Sequence, residues 1–281
     1  MTDQKRTDTT AFVIAHYDAQ GRVALYLREL VAYLRTLTPH IVFVSTNIDP
    51  DAADAMRAHA QVIVRENVGY DFWSYKVGID SLGDLRGFDR LVIFNNSFLV
   101  LDPAHLCKCF LEASGNADLL GFTHNRDIQP HLQSYWISFE NPQIINSQAF
   151  AQWWAQMTPI SDKREVIRAY EVGMSTFFGQ RGFRLSSMFQ RDREELTIAL
   201  CRAIETGYVK VNIPPEGQFV IDPFMGEATN VTHYSWDALL RRFGFFKLEL
   251  LRNNPSGVNI HALRAIMNST DRYRRLLEDV L

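Results

Sequence analysis

Gln61–Ile79 reads QVIVRENVGYDFWSYKVGI, and the order of its parts decides the fold class. Val62, Ile63 and Val64 form a short β-branched run of the kind that makes a buried strand. Glu66-Asn67-Val68-Gly69 ends it, because Asn and Gly take backbone conformations that bulky residues avoid. Phe72, Tyr75, Lys76 and Ile79 then recur at steps of three and four, the spacing of a helix. A strand, a glycine turn and a helix start place backbone N–H groups at the carboxyl end of a sheet, where a diphosphate can be held. Taken alone, an Asn-x-Gly turn is equally a plain strand-to-helix connection.

The same alternation continues on both sides. Ala11–His16 and Ile41–Val44 read as strands, and Leu27, Leu30, Val31 and Leu34 form an apolar helical stripe within Val23–Leu37. Pro39 stops that helix. Asp49-Pro50-Asp51 opens a second, Ala-rich helix over Ala52–Ala60, and Leu91–Phe94 supplies a fourth strand. Strands alternating with helices predict an α/β fold with a mostly parallel sheet covered on both faces.

Ligands in such sheets sit at the carboxyl ends of the strands. Four polar tips gather there: Tyr17 with Asp18, Asn47 with Asp49, Asn67 through Gly69 to Asp71, and Asn95-Asn96-Ser97. Two amides and a hydroxyl are neutral, so Asn95 and Asn96 make a weak site for a hard cation unless phosphates add charge. The other reading is hydrogen bonding to ribose or sugar hydroxyls.

After Pro103 the pattern changes. Leu119–Thr123 and His131–Phe139 read as antiparallel or mixed strands, with His131, Gln133 and Tyr135 on one face and Leu132, Ser134 and Trp136 on the other. A polar, aromatic face suits sugars; a half-buried strand with a satisfied histidine fits as well. Lys163–Gly182 reads as one helix, and Pro214-Pro215 breaks the chain after Val209–Ile213. Glu171 in that helix is a candidate general base, because partial burial lifts a carboxyl toward working pH; a favourable helix first turn is the alternative. The tail, Ser235–Leu281, reads as helical.

The bulk numbers set limits. The chain has 281 residues, 47% hydrophobic and 22% charged, enough for a sizeable core. A net charge of −3 gives no general attraction to nucleic acid. Cys107, Cys109 and Cys201 are too few and too irregular for a disulfide framework or a zinc site. The first ten residues lack a signal-peptide core, and no apolar run reaches about 18 residues. A cytoplasmic chain is expected. Arg272, Arg274 and Arg275 beside Leu276, Leu277 and Val280 could meet the inner face of a membrane, but Glu278 and Asp279 favour a packed terminal helix. The sequence contains no GxSxG, HExxH or Walker A pattern.

Five blocks in order resemble the rhamnan synthesis protein F family: ENVGYDFWSYKVGI, the NNS after a strand, GFTHNRDIQPHLQSYWISF, AYEVGMSTFFGQRGF and WDALLRRFGFFKLELLRNNPSGV. The resemblance runs from about Ala11 to beyond Gly257. The resemblance implies a GT-A-like glycosyltransferase of the rhamnosyltransferase type, acting in bacterial surface polysaccharide, O-antigen or cell-wall assembly. It implies a nucleotide-sugar donor, dTDP-L-rhamnose favoured, and a glycan or lipid-linked glycan acceptor, with other glycosyltransferases as candidate partners. By analogy Asn47 and Asp49 close the base and ribose pocket, Asn67, Gly69 and Asp71 lie by the diphosphate, and Tyr17 and Asp18 are further donor-binding residues. Asn95-Asn96-Ser97 takes the place of the metal motif that holds Mg2+ or Mn2+, and Glu171 that of the base, in an inverting reaction. His131, Gln133 and Tyr135 shape the acceptor or sugar side. The family pattern is Asn-Asp-Ser, and Asn96 stands where it has Asp.

The domains expected are a disordered 1–10, a catalytic 11–215 and a helical extension 216–281 packed on it. The rivals are a non-catalytic sugar-nucleotide or glycan-binding scaffold of an assembly complex, and a nucleotide-activating or hydrolytic enzyme on a similar sheet.

Overall fold

A computed structural model describes residues 9–113, 117–126, 128–210 and 223–281. The Pro214-Pro215 break and most of the expected disordered N-terminus lie outside the described residues; Thr10 already begins the first strand.

Four parallel strands form one half of the main sheet: β1 (Thr10–His16), β2 (Ile41–Ser45), β3 (Gln61–Val64) and β4 (Arg90–Asn95). They are linked by α1 (Leu25–Leu37), α2 (Pro50–Arg57) and α3 (Tyr70–Leu82). The order β3-β2-β1-β4 then continues through β8 (Trp136–Phe139) and β6 (Leu119–Asn125). β8 runs antiparallel to β4, and β6 antiparallel to β8. β7 (His131–Leu132) and β9 (Leu185–Phe189) both pair with β6. The architecture is α/β, with a mostly parallel sheet flanked by helices.

β1, β2 and β4 are buried along their whole length, as interior strands with helices on both faces must be. Their side chains alternate between two cores. Phe12, Ile14, Phe43 and Phe94 face α1 and the C-terminal part, whereas Val13, Ala15, Val44 and Ile93 face α3. Gly78 lets α3 settle on the sheet, since a Cβ there would lie 2.3 Å from Val13 Cγ1. β3, expected as a buried strand, is the edge of the sheet and half-exposed, with Val64 56% accessible. An edge strand has only one neighbour to cover it.

β5 (Phe98–Val100) leads to α4 (Pro103–Ala113), and the short helices α5 (Pro142–Ile145) and α6 (Gln148–Ala155) follow β8. Lys163–Gly182, expected as one helix, is in three parts. α7 (Lys163–Val166) widens into π turns over Ile167–Val172 and re-forms as α8 (Gly173–Gly179). Glu171 therefore sits inside the π segment and not in a first turn. His131–Phe139 is likewise interrupted. Only His131–Leu132 and Trp136–Phe139 are strands, and a turn at Ser134-Tyr135 breaks the alternation between them.

α9 (Arg193–Glu205), α10 (Val231–Tyr234) and α11 (Trp236–Phe243) lead into the tail. The tail is not wholly helical. β10 (Phe245–Lys247) pairs antiparallel with β5, with Lys247 opposite Phe98. α12 (Glu249–Arg252), α13 (His261–Met267) and α14 (Asp271–Glu278) complete it. Trp236, Phe245, Leu263 and Leu276 share a core with Phe12, Ile14 and Phe94 of the sheet. Leu276 and Val280 of the basic terminal segment are buried, and Arg272 pairs with Glu29 at 2.8 Å. Among the described residues no helix is long and apolar enough to cross a membrane.

Candidate functional site

The carboxyl end of β4 opens on a cavity of about 570 Å3. Tyr70 and Asp71 at the start of α3 form one wall, and Asn95 and Ser97 form its floor. The turn Gln133-Ser134-Tyr135, with His131 before it, faces Glu171 of the π segment. Lys247 of β10 enters from the tail.

Gly69 precedes α3 at φ 71°, and a Cβ there would lie 2.6 Å from Trp73 Cβ, so this turn demands glycine. Tyr70 also has a positive φ, 51°, which is strained for a bulky residue. The guanidinium of Arg65 fixes the loop, donating to the carbonyls of Glu66, Val68 and Tyr70 at 2.6–2.8 Å. Asn67 is exposed on it.

Asn95 and Asn96 are consecutive but serve different neighbourhoods. Asn95 Nδ2 donates to Asp71 Oδ2 at 2.7 Å, and its Oδ1 accepts from the N–H and the hydroxyl of Ser97. Asn96 faces Tyr17, accepting from its N–H at 3.3 Å and donating to its carbonyl at 2.9 Å. Asn47 Nδ2 donates to the carbonyl of Asp18 at 2.7 Å, and the N–H of Asp49 donates to the carbonyl of Gly21. Tyr17, Asp18, Asn47, Asp49 and Asn96 thus form a loop cluster beside the cavity, whereas Asp71, Asn95, Ser97, His131, Gln133, Tyr135 and Glu171 line it.

A divalent cation does not fit the Asn95-Asn96 pair. Their two carbonyl oxygens face different groups and are already accepting hydrogen bonds. The Lys247 ammonium stands 2.5 Å from Ser97 Oγ, where a cation would have to approach. Among the described residues no three His, Cys, Asp or Glu side chains form a metal cluster.

The two carboxylates of the cavity differ. Burial pushes the Asp71 carboxyl above its ordinary range, opposed by the Asn95 bond and the nearby Lys247 charge. Burial also pushes Glu171 upward, but bonds from His131 and Ser134 outweigh it and hold it below the ordinary range. The sequence-based expectation of a raised Glu171 is therefore reversed, because His131 and, from its turn, Ser134 both reach it. The Ser134 N–H donates to Oε2 at 2.8 Å, and the Ser134 hydroxyl donates to the same oxygen. Glu171 Oε1 faces His131 Nε2 at 3.6 Å. His131 Nδ1 lies 2.7 Å from the Gln129 carbonyl, an acceptor only, so Nδ1 carries a proton. Gln133 Oε1 and the Tyr135 hydroxyl both meet the Thr123 hydroxyl.

Sequence reasoning passed over Ser134, Lys247, Glu249 and His233. His233 Nε2 and Glu249 Oε1 are 2.7 Å apart on the tail side of the cavity. An isolated lysine in the apolar run Phe245-Phe246-Lys247-Leu248 was the only signal for this wall. A second cavity, about 580 Å3, also has His131 in its wall, with Arg126, Ser175 and Ser187.

The sequence model of rhamnan synthesis protein F matches residues 41–211. The chain belongs to the rhamnan synthesis protein F family. It is 29% identical over 215 residues to virulence protein VirA of Vibrio anguillarum, covering 73% of this chain and 66% of VirA. It is 31% identical over 135 residues to the uncharacterized protein y4gN of Sinorhizobium fredii, covering 46% of this chain and 34% of that protein. The chain thus spans just under two thirds of the length of VirA.

Among solved structures it is similar to the glycosyltransferase GlyE of Streptococcus pneumoniae TIGR4, at 13% identity and a TM-score of 0.38, over 71% of this chain and 50% of GlyE. It is also similar to the mannosyltransferase PcManGT of Pyrobaculum calidifontis in complex with GDP-Man and Mn2+, at 12% identity and a TM-score of 0.38. That likeness covers 96% of this chain and 85% of the other.

Proposed function

We propose that this rhamnan synthesis family protein is an inverting glycosyltransferase. It moves a deoxyhexose, L-rhamnose from a dTDP donor, onto a growing bacterial surface glycan. The observation that carries the reading is the convergence of Asp71, Asn95, Ser97, Glu171 and Lys247 on one cavity at the carboxyl end of β4. Family membership supports the substrate class.

In this reading the donor occupies that cavity, with its nucleoside toward the Tyr17–Asn96 cluster. The acceptor approaches through the second cavity, so His131, which lines both cavities, stands where the two substrates meet, with Glu171 beside it in the first. Glu171 Oε2 is taken up by Ser134, and Oε1, beside His131 Nε2, is the oxygen that receives the acceptor proton. The acceptor oxygen attacks the anomeric carbon and gives its proton to Glu171. The bond from that carbon to the diphosphate breaks, and its electron pair leaves with the nucleoside diphosphate. Gln133 and Tyr135 would contact the transferred sugar.

A second reading makes Asp71 the base, because its carboxyl is the one held above the ordinary range. The pH profile separates the two. The acid limb of kcat/KM falls below the ordinary carboxylate range for Glu171 and above it for Asp71.

The test is calorimetry with dTDP, UDP and GDP, followed by transfer from dTDP-L-rhamnose to a lipid-linked glycan. Selective binding of dTDP and transfer support the reading. Binding without transfer moves the protein to a scaffold role, and release of free sugar without acceptor moves it to a hydrolase.

A further inference from the structure

We propose that Lys247 supplies, from within the chain, the positive charge that neutralises the diphosphate of the donor, so that the site works without a divalent cation. This rests on the donor reading of the cavity.

Three geometric observations converge. First, the residues at the end of β4 do not present a cation site, because Asn95 and Asn96 turn to different partners. Second, the place is taken by an ammonium: Lys247 Nζ is 2.5 Å from Ser97 Oγ and 4.7 Å from the Tyr135 ring centroid, facing into the cavity. Third, the lysine is held in place by backbone. β10 pairs with β5, and the Leu248 N–H donates to the Ser97 carbonyl at 3.0 Å, tying Lys247 to the segment that follows β4.

The surroundings fit a charge kept for an incoming anion. Asp71, Glu171 and Glu249 share the cavity with Lys247, and Lys163 and Arg252 also line it. Burial lowers the Lys247 ammonium from its ordinary value, and the negative charges of Glu249, Glu171 and Asp71 oppose that. Glu171 is engaged by Ser134 and His131, and Glu249 by His233, so neither is committed to Lys247 alone. A diphosphate entering beside Ser97 would then meet an ammonium bearing three donors, a charge-assisted contact stronger than a neutral one. A lysine acts as a point charge and does not need the octahedral cage that Mg2+ demands.

The experiment compares binding of UDP, dTDP, GDP and inorganic pyrophosphate with binding of the matching nucleosides, in EDTA and in Mg2+ or Mn2+. The proteins are the wild type, Lys247→Met and Lys247→Arg. The expected result is diphosphate affinity in the wild type that is equal in EDTA and in metal. Lys247→Met should weaken diphosphate and pyrophosphate binding about 10- to 100-fold. It should leave nucleoside affinity unchanged, and Lys247→Arg should recover most of the loss. A merely structural lysine would lower nucleoside and diphosphate affinity together, which overturns the inference. Wild-type binding abolished by EDTA overturns it and keeps the donor site, and this arm stands even if Lys247→Met does not fold. Absence of binding to every diphosphate and to pyrophosphate brings down the donor reading itself.

Discussion

Asn95 and Asn96 are adjacent at the end of one strand, yet one amide meets a side-chain acid and the other meets only backbone. On the Asn95 side, an amide reaches an acid, Asp71, in a cavity that also holds Glu171 and Lys247. On the Asn96 side, amides meet only backbone: Asn96 holds Tyr17, and Asn47 holds Asp18 and Ala19. β4 ends at Asn95 and Asn96 begins the bend after it, so one step along the chain separates the cavity from loop support. Identical side chains can therefore be read only through their partners.

The largest break of this contrast is Glu171→Gln. Turnover should fall by about 10²–10⁴-fold, the usual worth of a general base, with nucleotide affinity retained. Full turnover in the variant removes Glu171 from the mechanism and leaves Asp71 as the base.

Asn95→Asp comes next. It sets a second carboxylate against Asp71, where the amide now donates at 2.7 Å. A loss of about 1–3 kcal/mol is expected in urea unfolding at neutral pH, shrinking as the pH falls and one acid takes up a proton. An unchanged midpoint would show that the two side chains part freely.

Asn96→Asp should cost less, about 1 kcal/mol, because the group lost is a single donor to the Tyr17 carbonyl at the surface. The added carboxylate faces backbone and not the cavity, so no dependence on Mg2+ or Mn2+ should appear in calorimetry. A new metal requirement would merge the two sides into one site.

The remaining effect is a pH slope on the side of Glu249, a partly exposed carboxylate whose contribution solvent screens. The His233 hydrogen bond holds Glu249 down to about 2 from an ordinary 4.5. A depressed carboxyl stabilises the fold above its unfolded value and loses that contribution as pH falls through the folded one. Between 4.5 and about 2, Glu249→Gln should flatten the acid decline of the unfolding midpoint, whereas Asn47→Ala should shift the midpoint equally at each pH. Parallel acid limbs in wild type and Glu249→Gln would show the pair to be idle.

Much of this arrangement was legible in the residues. The buried runs of β1, β2 and β4, the stripe of α1 and the glycine turn before α3 are local patterns, and local patterns carry their own periodicity. They placed Asp71, Asn95 and Ser97 on one rim. Glu171 and His131 were legible as candidates but not as partners, since 40 residues separate them. Ser134 was assigned to the wrong face because a turn, invisible in an alternating run, rotates it toward Glu171.

By itself the sequence determined the alternating architecture, the rim at the strand ends and the family. Only the tertiary structure decided which polar groups face each other there. The tail returns as β10 and brings Lys247 to Ser97 across 150 positions. The π turns aim Glu171 at His131 and Ser134, whose donors together reverse the effect of burial on its carboxyl. Periodicity follows from neighbours along the chain, whereas charge and protonation follow from neighbours in space.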